Sequence, residues 1–265
     1  MDSARPLDDT DIARFVRDGF VRVDGAFARD LAAAGVDLLW DEVRAMHPHF
    51  EPGEETPWPA PVVRLPGSGA EPFRAAATSP RLCAAFDQLV GPGRWVPRTG
   101  LGTFAIRFPH EQDPDDAGWH IDGSFPGADG NWWVNHHSRG RALLMLFLFT
   151  DIGPDDAPTR IRVGSHLAVP RLLVPAGDSG VPFGAVVNEL GDFEGMPLAY
   201  ATGQAGDVYL CHPFLVHAAD RHRGRTPRII AQPGLDPTGG RLEIERTEGV
   251  ASPVERALRI GLGLD

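Results

Sequence analysis

A mainly β protein, a sandwich or barrel with helices flanking it, is the fold class that this sequence predicts, and three observations carry the prediction. From Trp95 onward, short apolar or alternating runs are separated by glycine, proline and aspartate, the pattern of many short strands joined by tight turns. Helical periodicity is concentrated earlier, in about residues 1–93, which leaves about 94–240 for the β core. No serine/glycine linker or block of like charge divides the 265 residues, so one domain spanning 1–265 is expected.

In chain order, Asp9 or Thr10 is placed to cap a helix through Ile12, Phe15 and Val16, and Gly19 to end it. Residues 20–23 alternate as a strand, and a second helix is expected over 30–46 with Leu31, Leu38, Leu39 and Val43 on one side. Prolines and glycines across 47–72 break regular structure, leaving a loop that suits either a lid or a wrapped surface segment. A third helix covers 80–90 and is closed by Gly91-Pro92-Gly93. Strands are expected over 96–98, 102–108, 119–122, 143–151, 160–163, 198–202, 207–210, 215–217 and 228–232. The apolar run 143–149 is far too short to span a membrane and fits a buried central strand. Gly100-Leu101-Gly102-Thr103-Phe104-Ala105 has a glycine spacing superficially like a dinucleotide fingerprint, but a strand and not a helix is expected after it.

Composition narrows the function classes. A hydrophobic share of 42% and a charged share of 23% are those of a globular protein with a sizeable core. Net charge of −11 argues against a broad nucleic-acid or anionic-membrane surface, either of which needs a basic face. The basic run Arg221-His222-Arg223-Gly224-Arg225 reads as a solvated loop between strands, or as a contact for a phosphate-bearing substrate. The polar start, Met1 to Arg5, lacks a signal peptide's apolar stretch, and a cytoplasmic location is expected. Cys83 and Cys211 are too few and too far apart for a disulfide framework. Lysine is absent altogether, which removes pyridoxal Schiff bases, lysine-dependent phosphate loops and Schiff-base aldolases. An arginine-only basic set is also what a GC-rich bacterial genome would encode.

The most informative chemistry lies in Gly118-Trp119-His120-Ile121-Asp122-Gly123. Residues two apart on an extended strand share a face, so His120 and Asp122 can bind one metal ion while Ile121 turns into the opposite layer. His-x-Asp alone is a weak signal, and a third ligand must come from elsewhere in the sheet. The stretch from Gly206-Asp207 through an apolar run to His217 supplies it. Two imidazoles and one carboxylate, with the other positions open, are the ligand set of a non-haem Fe(II) centre that activates oxygen. Arg228 follows eleven positions after His217, and its planar guanidinium can hold a carboxylate through two parallel hydrogen bonds. Among rival histidines, His212 precedes Pro213 and suits packing, and His222 sits among arginines that oppose a cation. His166 suits a structural role in a turn, and no Gly-x-Ser-x-Gly is present to make it part of a serine hydrolase.

In this order these pieces resemble the phytanoyl-CoA dioxygenase-like family of Fe(II)- and 2-oxoglutarate-dependent oxygenases. The resemblance rests on Trp119-His120-Ile121-Asp122, on Val163-Gly164-Ser165-His166, which is similar to a Pro-Gly-Ser/Thr-His motif, and on Gly206-Asp207 through His217 to Arg228. The opening Phe15-Val16-Arg17-Asp18-Gly19-Phe20-Val21-Arg22-Val23 is similar to the family's first helix and strand. It implies a double-stranded β-helix, a jelly-roll, cupin-like core, with the ligands meeting at one open end. It further implies His120, Asp122 and His217 as catalytic iron ligands, Arg228 on the distal carboxylate of 2-oxoglutarate, Arg107 as a second contact to that cosubstrate, and O2 at the remaining position. Family chemistry couples decarboxylation of 2-oxoglutarate, to succinate and carbon dioxide, with oxidation of a substrate C–H bond. Halogenating relatives replace the acid with a small residue, so Asp122 favours hydroxylation. Two departures, Asp155-Asp156-Ala157-Pro158-Thr159 in place of an Asn-Gly turn and Val163 in place of proline, alter a loop near the site.

Between the first ligand pair and the central strand lie Phe125, Trp132, Trp133, Asn135, His136, His137 and Arg139, which suit a small-molecule pocket. Phe104, Trp119, Phe125, Trp133, Asn135 and His137 are the candidate substrate contacts, although core packing and an exposed histidine pair would explain these residues equally well. The expected activity is a dioxygenase hydroxylating a small molecule in bacterial specialised metabolism, with no nucleic-acid or membrane partner. A cupin-type metal-dependent isomerase or hydrolase, and a catalytically silent binding jelly roll, are the alternatives.

Overall fold

The computed structural model describes residues 5–49, 58–187, 189, 193–245 and 249–264. Helix α1 (Asp9–Asp18) is capped by Asp8 and not by Asp9 or Thr10. The Asp8 carboxylate accepts from the Asp11 amide at 2.8 Å, and the Asp11 carboxylate accepts from the Asp8 amide at 3.2 Å, so two otherwise unpaired donors are satisfied. Gly19 ends the helix at φ 91°, where a Cβ would stand 2.5 Å from His166 Nδ1. Strand β1 (Phe20–Val23) follows as expected.

Helix α2 (Arg29–Met46) buries Ala32, Gly35, Leu39 and Val43, while Leu38 is 37% exposed, so the inner face is rotated from the leucine stripe that the sequence suggested. Gly35 sits where a Cβ would meet Phe73 and Phe149 at 2.8 Å, and this close approach turns the small residues inward. Regular structure in the stretch expected to be a loop comes from β2 (Val62–Leu65) and the start of α3 (Glu71–Ala77). Pro61 and Pro66 on either side mask the four residues of β2, and pairing with a neighbouring strand stabilises them. Residues 50–57 of that expected loop lie outside the described residues.

The chain continues through α4 (Pro80–Leu89) and β3 (Phe104–Arg107). Of residues 96–98 no strand forms, and Trp95 makes a single bridge to Pro237. Nor do residues 119–122 form a strand, since only His120 bridges, to His217. Two short strands that were not anticipated, β4 (Phe125–Pro126) and β5 (Trp132–Val134), precede β6 (Leu143–Leu148) and β7 (Thr159–Arg162). Next come α5 (Val169–Leu173), β8 (Val181–Pro182), α6 (Phe183–Val187), β9 (Leu198–Ala201), β10 (Val208–Cys211), β11 (His217–Ala218), β12 (Arg228–Ala231), β13 (Gly234–Leu235) and α7 (Pro253–Leu262).

The major sheet has the order β1-β10-β6-β12-β3-β2, with β13 also on β6, and every pairing is antiparallel. Its edge strands β1 and β2 come from the otherwise helical N-terminal part. A minor sheet, β11-β7-β9, packs on one face: Leu144, Leu146, Leu148 and Ile230 meet Ile161 and Ala201 there. The other face, with Phe104, Ile106, Met145, Phe147 and Ile229, packs on the helices. β6 is therefore buried on both sides, as its unbroken apolar run requires. Two sheets closed over a core with helices outside form the jelly roll. A third sheet, β4-β5-β8, stands apart from both. No helix among the described residues is long and apolar enough to cross a membrane.

The Gly164-Ser165-His166 stretch braces this arrangement. Ser165 Oγ accepts from the amide of Val216 at 2.9 Å, next to His217. His166 Nε2 donates to the Val16 carbonyl at 3.1 Å and His212 Nε2 to the Val254 carbonyl at 3.2 Å, so two wholly buried histidines tie α1 and α7 to the barrel. Burial holds His166 down at about 4 and His212 well below the usual histidine range. Cys211 is buried in β10 and burial pushes its thiol far up, away from reactivity. The basic run 221–225 is a loop between β11 and β12, where Arg223 pairs with Asp220 at 3.2 Å.

Candidate metal centre

His120 and His217 exchange both backbone hydrogen bonds at 2.9 Å, which places the two residues side by side although 97 positions separate them in sequence. Their ring centroids are 4.4 Å apart. Asp122, two residues after His120, brings Oδ1 to 3.8 Å from His120 Nε2 and 3.7 Å from His217 Nε2. Two bonds of about 2.1 Å to nitrogen or oxygen span these separations. The sequence-predicted ligands are thus brought together, by a bridge and a turn where a continuous strand had been expected.

Each imidazole is already oriented. Nδ1 of His120 donates to the Gly118 carbonyl at 2.9 Å and Nδ1 of His217 to the Leu215 carbonyl at 3.0 Å, because a carbonyl can only accept. Both Nε2 lone pairs are left for a metal. Burial holds His217 down at about 4, against the pull of Asp122, so this ring is neutral and able to ligate at neutral pH. Asp122 keeps its charge: burial raises it, but Arg141, His217 and His120 outweigh that and bring it below the usual carboxylate range. Arg141 Nη1 lies 3.2 Å from Asp122 Oδ2, leaving Oδ1 to face the histidines. The His120 and Asp122 side chains are 31% and 29% exposed, against 4% for His217, so the centre opens on one side. That side is a cavity of about 400 Å³.

On its floor Arg228 of β12 and Arg107 of β3 are direct register partners, both 3% exposed. Arg228 donates to Thr159 Oγ1 at 2.8 Å and Arg107 to Asp116 Oδ2 at 2.6 Å. Nε of each is buried with no hydrogen-bond partner among the described residues. Burial and the neighbouring Arg107 push Arg228 down to about 9, with Asp116 opposing. Two buried guanidinium groups with unpaired donors could hold an anion, and a carboxylate end of 2-oxoglutarate has the matching charge and shape.

The six candidate substrate contacts fall elsewhere. Phe104 is fully buried among Phe73 and Phe149 on the helix side of the major sheet, because the strand alternates and its neighbours Ala105 and Arg107 take the cavity side. Trp119 lies beneath the guanidinium groups of Arg160 and Arg162 at 4.9 and 4.3 Å, fixing the segment that carries His120. Phe125 packs under Arg139, and Trp133 donates to Asp129. Asn135 donates to the Asp178 carbonyl and accepts from the Arg139 amide, and His137 reaches Asp178 at 3.2 Å. None of the six lines the cavity; Trp132, Phe183, Asp116, Thr159 and Arg141 do. Thr159 could have been read from the alternation of β7, which puts it on the same face as Ile161, but Asp116 and Arg141 carry no signal that separates them from other surface charges.

The phytanoyl-CoA dioxygenase (PhyH) family profile matches residues 15–230, a span holding His120, Asp122, His217, Arg107 and Arg228. The chain belongs to that family. It is thereby a non-haem iron enzyme dependent on 2-oxoglutarate. Among solved structures, EctD from S. alaskensis in its apoform is 21% identical, covering 91% of this chain and 80% of its own, with a TM-score of 0.57. The epimerase SnoN, in complex with Fe3+, alpha ketoglutarate and nogalamycin RO, is 21% identical over 92% of both chains, also at 0.57. HygX from Streptomyces hygroscopicus, with nickel, 2-oxoglutarate and hygromycin B bound, is 19% identical over 88% of both at 0.55. Likeness at this level shows a common fold. No curated protein matches the chain in sequence.

Proposed function

We propose that this protein is an Fe(II)- and 2-oxoglutarate-dependent oxygenase that hydroxylates a small molecule, with His120, Asp122 and His217 as the iron ligands and Arg228, backed by Arg107, on the far carboxylate of the cosubstrate. The observation that carries this reading is the meeting of two oriented Nε2 atoms and one carboxylate oxygen at the wall of a cavity whose floor holds two buried arginines with unpaired donors. When bound, iron would activate O2, the oxidant, with 2-oxoglutarate as co-reductant: one oxygen atom would enter succinate as the cosubstrate loses carbon dioxide, and the other would enter the substrate C–H bond. The chain's own residues hold and shield. Gly118 and Leu215 carbonyls fix the tautomers, Arg141 keeps Asp122 turned so that one oxygen faces the histidines, and Thr159 aims Arg228. None of the three ligands is needed as a general acid or base. Hydroxylation is favoured because an aspartate, and not a small residue, stands at position 122.

Anaerobic titration with Fe(II) and 2-oxoglutarate, followed by a small-molecule screen for coupled succinate release, tests the assignment. Binding of 2-oxoglutarate and substrate-stimulated succinate are the expected results. Absence of 2-oxoglutarate binding to the iron-loaded protein refutes it.

A further inference from the structure

The protein is acidic overall, yet its cavity is basic. Among the described residues that line the cavity, four arginines (Arg64, Arg107, Arg141, Arg228) face two carboxylates, Asp116 and Asp122, and no glutamate. Two positive charges are in excess. A divalent metal ion and the doubly negative cosubstrate cancel each other and leave that excess standing, with the histidines neutral as ligands. A cavity wall of one sign draws in a ligand of the other.

The four arginines are not equally committed. Arg107 and Arg228 lie on the floor, 3% exposed, and Arg141 stands against Asp122 Oδ2. Arg64, on β2, has a side chain 55% exposed and lines the same cavity. It donates to Asp116 Oδ2, the oxygen that Arg107 already holds, so one carboxylate serves two guanidinium groups. The other donors of Arg64 remain within reach of a ligand arriving from solvent. Trp132, 54% exposed, lines the same cavity, and its indole offers a flat apolar surface there.

We infer, on the basis of the oxygenase reading above, that the substrate is a small molecule bearing an oxyanion, a carboxylate or a phosphate, which Arg64 receives at the cavity mouth while the apolar body lies against Trp132. Arg64 is then the residue that selects for charge, distinct from the two arginines that serve the cosubstrate. Planar carboxylates and phosphates both match the guanidinium fork, and lysine would match it less well.

The test is a set of matched probes, benzoate, phenyl phosphate and neutral benzamide, bound anaerobically to protein loaded with Co(II) and saturating 2-oxoglutarate and read by tryptophan fluorescence. At least one anion binds about tenfold more tightly than benzamide, and the tighter of the two identifies the oxyanion. Added salt reduces the preference. Arg64→Gln abolishes it and Arg64→Lys retains part of it, with circular dichroism confirming that both variants fold. Benzamide binding as tightly as both anions, a preference untouched by Arg64→Gln, or no binding of either anion at millimolar concentration overturns the inference. Failure of the oxygenase reading gives a different result, loss of 2-oxoglutarate binding itself before any probe is added.

Discussion

Among the described residues, two groups of two histidines and one aspartate lie within ligand reach, His120-Asp122-His217 and His136-His137-Asp178, and they are wired differently. In the first, each Nδ1 donates to a carbonyl and each Nε2 turns toward Asp122 Oδ1. In the second, both Nδ1 atoms are buried with no hydrogen-bond partner among the described residues. The arginines differ too. Arg141 sits on Asp122 Oδ2 and leaves Oδ1 to the histidines, whereas Arg241 lies 3.6 Å from Asp178 Oδ1, the oxygen that His137 reaches at 3.2 Å. Burial, His136 and Arg241 all hold His137 below the usual histidine range, against Asp178 and the backbone of Leu242. A ligand set is thus not made by residue types in proximity. It is made by the groups behind them: hydrogen bonds to carbonyls select the tautomer, and the ion pair with Arg141 leaves one carboxylate oxygen to the histidines.

The largest test of that contrast is removal of the ligands. His120→Ala or Asp122→Ala is expected to abolish substrate oxidation and Fe(II) binding with the circular dichroism spectrum unchanged, and near-normal turnover in either variant would falsify the assignment. Arg228→Ala leaves a carboxylate without its buried partner, a loss of about 2 kcal/mol or more. The expected result is a rise of about thirtyfold or more in the KM for 2-oxoglutarate, and an unchanged KM would point to another anchor. Arg141→Met releases Asp122 Oδ2 and is expected to weaken Co(II) affinity by about tenfold, measured by competition with a chromophoric chelator. Equal affinity would show that the arginine does not orient the ligand.

Stability against pH sharpens the contrast with a third pair, His166 and His212, which have carbonyl partners and in which burial outweighs the pull of Asp18 on His166. His166 is neutral down to about 4 when folded and titrates near 6.5 when unfolded, so the unfolded chain binds the extra proton between these values. Stability of the metal-free protein is therefore full above pH 6.5 and falls as pH drops toward 4, with His212 acting in the same direction. On the order of 3 kcal/mol comes from His166 alone. Urea midpoints between pH 7 and pH 4 measure it, and a His166→Gln variant should show a flatter profile. An identical slope in the variant would remove His166 from the account. Smallest of all is the expected effect of His137→Ala, which leaves Co(II) binding at one equivalent per chain. Loss of a second equivalent in that variant would break the distinction between the two groups.

Much of the fold was legible because burial imposes periodicity. β6 is apolar throughout since both of its faces are covered, and α4 and β1 fall where their patterns place them. β2 was missed because the prolines and glycines around it read as a loop, although it pairs with β3 far along the chain, and β4 and β5 were missed because strands of two or three residues carry no period of their own. Substrate contacts were the least legible. Aromatic residues next to the metal motif were equally good candidates for packing, and Phe104, Trp119, Phe125 and Trp133 are held by rings, guanidinium groups or Asp129 away from the cavity.

The sequence by itself determined the chemistry on offer: two histidines, one aspartate and an arginine in an order that matches one enzyme family, with lysine chemistry removed. Tertiary structure decided which donor atoms face each other, because tautomers, carboxylate oxygens and paired arginines depend on backbone carbonyls and strand register supplied from far along the chain. Arg141 behind Asp122, Asp116 between Arg64 and Arg107, and Thr159 under Arg228 are of that second kind. Electrostatic partnership is set by distance in space, and a linear pattern records only distance along the chain.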